Sequence, residues 1–253
     1  MAKKNEIEGL ISAPTRYRAF YFVMALLSVM LSITCLLYTS KRKRIMIYFI
    51  EATEKLIRSD GVEGLSIRKI ASEAGYNSAT LYNYFEDLEH LVLFGSVCYL
   101  REYIVLLGKS LKQNMTSVDR YRTIYHCFNR VAFRYPEIFH NMFFGRYSNK
   151  LGTVVRVYYQ ELFPSELEGL NDRMKKMLVE GSMRERDEIT MESMVQEGFV
   201  LEEKADITLE LIIALHQNFI YEAYLKGDSL NIEEHEEKFN RLFEYILEMA
   251  GKQ

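Results

Sequence analysis

Apolar residues recur at helical spacing along most of the chain. Behind a basic run, Lys41 to Arg44, the positions Ile45, Phe49, Ala52, Leu56 and Ile57 repeat three and four apart until Ser59–Asp60–Gly61 ends the pattern. This predicts an amphipathic helix starting near Lys41. Gly61 and Gly64 bracket a short turn, and Ser66 is placed to cap the next helix, IRKIASEA, by accepting from an otherwise unpaired amide. That helix turns Ile67, Ile70 and Ala74 inward. Gly75 follows, where a sharp turn needs positive φ. Asn77 or Ser78 caps a third short helix, SATLYNYF, which buries Leu81 and Phe85 and leaves Thr80, Tyr82, Asn83 and Tyr84 partly outward. Two short helices meeting at a glycine make a helix-turn-helix. Ala71 lets the helices approach, Gly75 makes the turn, and Leu81 locks one helix onto the other.

Beyond Glu86 the pattern predicts further helices, broken near Met115 to Ser117, Arg134 to Pro136, Gly145 to Ser148, Pro164 and Gly198. From Asp206 to Leu225 apolar residues surround nearly the whole helix, so more than one face must be covered. The last helix carries one apolar stripe, Phe239, Leu242, Phe243, Ile246 and Ala250. Between Tyr121 and Tyr159 the chain is dense in aromatics and methionine. Tyr121, Tyr125, Phe128, Phe143, Tyr147 and Tyr158 are the candidates for lining an effector cavity, and that composition fits an apolar or aromatic ligand.

No stretch alternates apolar and polar residues as a half-buried strand would, and the chain has three prolines. The fold class is therefore all-α: a three-helix helix-turn-helix domain at residues 41–91, followed by a second helical domain at 92–253. With 253 residues, 49% hydrophobic and 26% charged, the chain can bury a core without disulfides or metals. Its net charge of −3 means that nucleic-acid binding must rest on a local basic cluster. Cys35, Cys98 and Cys127 are scattered, without metal or redox spacing, which suits a reducing cytoplasm. No phosphate loop, H-E-x-x-H or G-x-S-x-G is present, so no enzyme activity, cofactor or metal is expected. The acidic run Glu233 to Glu237 suits the first turn of a helix through the helix dipole.

Residues 1–40 stand apart. From Ala19 to Ser40 the chain is uncharged and apolar over about the length of a membrane helix, with basic residues on both sides. Two readings follow: an anchor at 19–40 that holds a cytoplasmic regulator at the membrane, or a start foreign to the domain. On the second reading a chain beginning near Ser40 folds and binds DNA as the full chain does.

The segment SIRKIASEAGYNSATLYNYFEDLEHLV resembles the pattern TIxxIAxxAGVSxGTLYxHFxxKExLL of TetR/AcrR-type transcriptional regulators, without gaps, and the resemblance spans roughly Lys41 to Leu93. Ala79 stands where that family often has glycine, and Leu88 where it usually has a lysine near a DNA phosphate. The resemblance implies a DNA-binding regulator, a ligand-responsive repressor of the cytoplasm, that grips double-stranded DNA at an inverted repeat. It places Asn77, Ser78, Ala79, Thr80 and Asn83 at bases or nearby phosphates, with Ser66, Arg68, Tyr82 and Tyr84 on the backbone. Lys41, Arg42, Lys43 and Arg44 join them at phosphate or in the minor groove. It also implies that 92–253 is a helical effector-binding and dimerisation domain, with a homodimer through roughly 206–250 built as a four-helix interface. The remaining alternative is a helical binding module without DNA recognition.

Overall fold

The computed structural model describes residues 15–170, 172, 175 and 183–251, and among these every regular element is helical and no strand is present. The all-α expectation holds. The chain forms two compact units, Met1–Met46 and Ile47–Gln253.

Helix α1 runs from Thr15 to Asp60. The expected start near Lys41 is therefore not where the helix begins. Between Thr15 and Asp60 there is neither glycine nor proline, and a run of basic residues does not remove backbone hydrogen bonds, so nothing stops the helix from extending upstream. Within the first unit, Met30, Thr39, Ser40, Lys41, Arg42 and Arg44 are exposed. Most side chains of the apolar stretch 19–40, on which the membrane expectation rests, lie outside the described residues. Among the described residues, 88–110 is apolar enough to cross a membrane by length and composition, but 61% of that window is buried inside the protein, as in a core helix.

In the second unit, the C-terminal part of α1 packs with α2 (Ile67–Glu73) and α3 (Ser78–Leu81). Phe49, Ile70, Leu81 and Phe85 are buried together with Ala71. Phe49 meets Tyr76 at 5.4 Å and Phe85 edge-on at 6.2 Å between ring centroids. Each such side chain removed from water contributes about 1.5–3 kcal/mol. Gly75 has φ +77, the conformation that the helix-turn-helix corner requires. The last helix of the motif is shorter than expected. Its regular part ends at Leu81, and Tyr84 and Phe85 both donate to the Leu81 carbonyl at 3.0 Å in a tightened turn. That turn buries Phe85 against Phe94, with centroids 5.5 Å apart.

Helices α4 (Leu88–Ser96) and α5 (Cys98–Ser110) lead away from the motif. Gly95 lies so close to α1 that an added Cβ would sit 2.7 Å from Thr53 Cγ2. The remaining helices are α6 (Ser117–Ala132), α7 (Pro136–Phe144), α8 (Leu151–Arg156) with a π-helical continuation at Val157–Leu162, α9 (Met183–Gln196), α10 (Ala205–Lys226) and α11 (Ile232–Gly251). The breaks near 115–117, 134–136, 145–148, 164 and 198 fall where proline, glycine and capping residues place them, whereas the break at Val97, between α4 and α5, carries no such signal. Helix α10 is central and packs on α7, α9 and α11. Phe133, Phe219, Phe239 and Phe243 fill the space between these helices, with Phe219 and Phe239 edge-to-face at 5.4 Å.

Candidate nucleic-acid interface

Local hydrogen bonds set the geometry of the motif. Ser66 caps α2, its hydroxyl accepting from the Lys69 amide at 3.3 Å. Asn77, rather than Ser78, caps α3: its side-chain oxygen accepts from both the amide of Thr80, at 2.9 Å, and the hydroxyl of Thr80, at 3.0 Å. An Asn or Ser in this position satisfies amides that the first helical turn leaves unpaired. Lys69 steadies the turn before α2 by donating to the Gly64 carbonyl at 2.8 Å, with Asp60 at 3.4 Å. Lys55 pairs with Glu73 at 2.5 Å and ties α1 to α2.

Every expected DNA-facing residue of the motif is at least partly exposed. Arg68, Asn77, Ala79, Tyr82 and Asn83 are exposed, Tyr82 by 57%. Ser66, Ser78, Thr80 and Tyr84 are half-buried. The Asn77 oxygen and the Thr80 proton are used within the cap, so these residues offer an outside partner the Asn77 NH2 and the Thr80 oxygen. Lys41, Arg42 and Arg44 are exposed on α1 and Lys43 is half-buried. Leu88, the position without the lysine, is half-buried at the start of α4.

Just after the motif in the chain, Asp87 begins a polar junction that periodicity did not reveal. Asp87 caps α4 by accepting from the His90 amide at 2.9 Å. The same carboxylate accepts from Arg146 at 3.0 Å and from the Tyr147 hydroxyl at 2.8 Å. Burial works against ionisation of Asp87, but the His90 amide, the Tyr147 hydroxyl and Arg146 outweigh it and hold its carboxyl below the usual value. The hydrogen bond to Asp87, with some burial, pushes the Tyr147 phenol up to about 12. The Tyr147 ring stacks on His90 at 5.2 Å, and Lys150 pairs with Glu86. A second tie joins Tyr158 to Glu54 at 2.8 Å, and a third joins Tyr224 to Glu63 at 2.9 Å.

The six aromatic residues expected to line one cavity therefore part company. Tyr147 and Tyr158 serve the junction. Tyr125, Phe128 and Phe143 do line a common cavity, with Tyr103, Ile124, Asp187 and His216, and its volume is about 30 Å³. Tyr121 lies fully buried behind it, its hydroxyl 3.4 Å from that of Tyr125. The polar members were missed because a single His or Asp on an otherwise apolar helix face looks the same whether it serves packing or a ligand. Among the described residues no group of His, Cys, Asp and Glu is arranged to hold a metal ion. His235 is buried and bonded to the Phe219 carbonyl at 2.9 Å, while Glu233 and Glu234 occupy the first turn of α11.

Two capped helices at a positive-φ glycine, backed by a shared apolar core and carrying exposed polar residues, define a helix-turn-helix of the DNA-binding kind. Residues 49–93 match the family described as bacterial regulatory proteins, tetR family, and this segment of the chain is of that type. No curated protein matches the chain. Among solved structures it is similar to Thermus thermophilus FadR, a TetR-family transcriptional repressor in complex with lauroyl-CoA, at 15% identity over 82% of this chain and 95% of that one, TM-score 0.46. It is also similar to PfmR, a TetR-family transcriptional regulator from Thermus thermophilus, at 15% identity over 79% and 96%, TM-score 0.43. A TetR-family regulator from Haemophilus influenzae shares 17% identity over 82% and 96%, TM-score 0.42.

Proposed function

We propose that this chain is a ligand-responsive repressor of the cytoplasm, without enzymatic activity, that binds an inverted-repeat operator as a homodimer. The observation that carries the reading is the capped helix-turn-helix at 66–85, of tetR type, with Ala79, Tyr82 and Asn83 each exposed. In the major groove such exposed side chains meet distinguishable base patterns. Ala79, Thr80 and Asn83 then read bases, and Asn77 and Ser78 lie at bases or adjacent phosphates. Ser66, Arg68, Tyr82 and Tyr84 hold the backbone, and the exposed basic side chains from Lys41 to Arg44 add phosphate contacts.

The dimer is supported by apolar side chains left uncovered on the last two helices. Ile207, Leu211, Tyr221 and Leu225 are exposed along α10, and Leu242, Tyr245 and Met249 along α11. Pairing these stripes across a two-fold axis buries them in a four-helix interface and gives two recognition helices for two half-sites. An effector in the α6–α7–α10 region acts by favouring one of two arrangements of these helices.

The test is selection of binding sites from random duplex DNA by the full chain, at two salt concentrations, beside Tyr82→Ala and Thr80→Ala. The expected result is an inverted repeat whose enrichment falls with either substitution and with salt, because phosphate contacts release counterions. A folded dimer that enriches no sequence above background refutes DNA recognition.

A further inference from the structure

Asp87 and His90 cap the start of α4 reciprocally. The Asp87 carboxylate accepts from the His90 amide at 2.9 Å, and the His90 ring reaches back so that its Nδ1 accepts from the Glu86 amide at 3.2 Å. This is the logic of a capping box, in which a first-turn side chain satisfies an amide at the helix entrance. The usual acceptor there is Glu or Gln, which keeps its lone pairs at neutral pH and below. A histidine accepts at Nδ1 only while that nitrogen is bare and the hydrogen sits on Nε2. Protonation puts a hydrogen on Nδ1, and two N–H groups then face each other. Glu86 directly follows the tightened turn in which Tyr84 and Phe85 donate to the Leu81 carbonyl. Its amide therefore fixes where the recognition segment, Ser78 to Phe85, ends, just downstream of the exposed Tyr82 and Asn83.

The surroundings of the ring oppose the imidazolium. His90 is half-buried, stacked on Tyr147 at 5.2 Å, with Phe85 at 6.2 Å and Phe94 at 5.4 Å between ring centroids. Glu86 and Asp87 face it with negative charge and Lys150 with positive charge, while Arg146 and Tyr147 are engaged with Asp87. Burial, the largest influence, acts together with Lys150, outweighs the two carboxylates and holds the imidazole below the ordinary histidine value. The capped arrangement is therefore the neutral one. We propose that His90 is a positioning residue for DNA recognition: while neutral it holds the Glu86 amide, and with it the end of the recognition segment, and protonation releases both, so that operator binding weakens in acid. The inference rests on the DNA-binding reading above and adds a regulation to it. Its direction is diagnostic, because a proton gained near DNA otherwise strengthens binding by adding positive charge against the phosphates.

The experiment measures the affinity of the full chain for the inverted-repeat duplex enriched in the selection above, by fluorescence anisotropy at fixed ionic strength, at pH 7 and pH 5. His90→Asn places an oxygen where Nδ1 stood and does not titrate. It should bind like the native chain at pH 7, and at pH 5 the native chain should be weaker than this variant by about fivefold or more. His90→Phe keeps the ring stack without an acceptor and should bind weakly at both pH values. Equal acid loss in the native chain and His90→Asn overturns the positioning role and leaves the DNA-binding reading standing. So does native binding that strengthens toward pH 5 relative to His90→Asn. If circular dichroism shows that His90→Asn does not fold, the ring nitrogen shifts of His90 in the unaltered chain decide. They should titrate at lower pH in the DNA complex than in the free protein, and an unchanged or higher titration overturns the role. A folded chain that binds no sequence above background at either pH overturns both readings.

Discussion

Asp87 offers the sharpest test of how the DNA-binding motif is held to the helices behind it. One carboxylate caps α4 and accepts from Arg146 and Tyr147, and these roles separate by substitution. Loss of an N-cap costs about 1 kcal/mol. A hydrogen bond to a charged group adds about 1.5–3 kcal/mol when well buried. The pair with Arg146, whose side chain is 68% exposed, adds at most a few tenths, because solvent screens it. Asp87→Ala removes all three roles and should cost about 3 kcal/mol. Asp87→Asn keeps an oxygen for the cap and for Tyr147 and loses only the charge, so it should cost about 1 kcal/mol. Urea unfolding at fixed protein concentration, followed by circular dichroism, measures both. Tyr147→Phe, destabilising in the native background, should have almost no further effect once Asp87 is alanine, because the two share one bond. The acid limb supplies a second readout. The folded pKa of Asp87 is depressed, so its contribution is complete above the unfolded value of about 3.9 and is lost as pH falls through the folded value. That loss is absent in Asp87→Asn. An alanine variant within about 0.5 kcal/mol of the native chain, or an asparagine variant as damaging as alanine, refutes the reasoning.

Burial depresses His216 to about 3, so the unfolded chain binds a proton there that the folded chain does not. Its stabilising effect is complete above the ordinary histidine value of about 6.5 and falls by about 1.4 kcal/mol per pH unit below it. Unfolding free energy measured from pH 7 to 5 should therefore lose one proton's worth of slope in His216→Phe. The same-signed effects of His90, His140 and His235 remain; an unchanged slope counts against a buried neutral imidazole. On the outer face, Leu211 is 48% exposed in the single chain, so Leu211→Glu should leave the protomer folded while shifting sedimentation from dimer to monomer. A variant that stays dimeric places the interface elsewhere.

What could be read in the sequence was short-range. The spacing of Ala71, Gly75 and Leu81, the Ser66 and Asn77 caps, and the breaks before Ser117 and Pro136 depend on neighbours within a turn or two. Periodicity and capping chemistry report such neighbours directly. The same short range explains where the reading strayed. Basic residues at 41–44 mark a chemical boundary but not a conformational one, so α1 continues upstream from them, and the end of α3 tightens to seat Phe85 in a core that its own segment does not describe. Only the tertiary structure decided which polar groups meet. Asn129 reaches His216 across 87 positions and Tyr125 reaches Asp187 across 62. Tyr147 and Tyr158, chemically indistinguishable in the sequence from the cavity tyrosines, are drawn instead to Asp87 and Glu54 at the junction. Local spacing carries no information about such partners, because the hydrogen bonds exist only once the helices have packed.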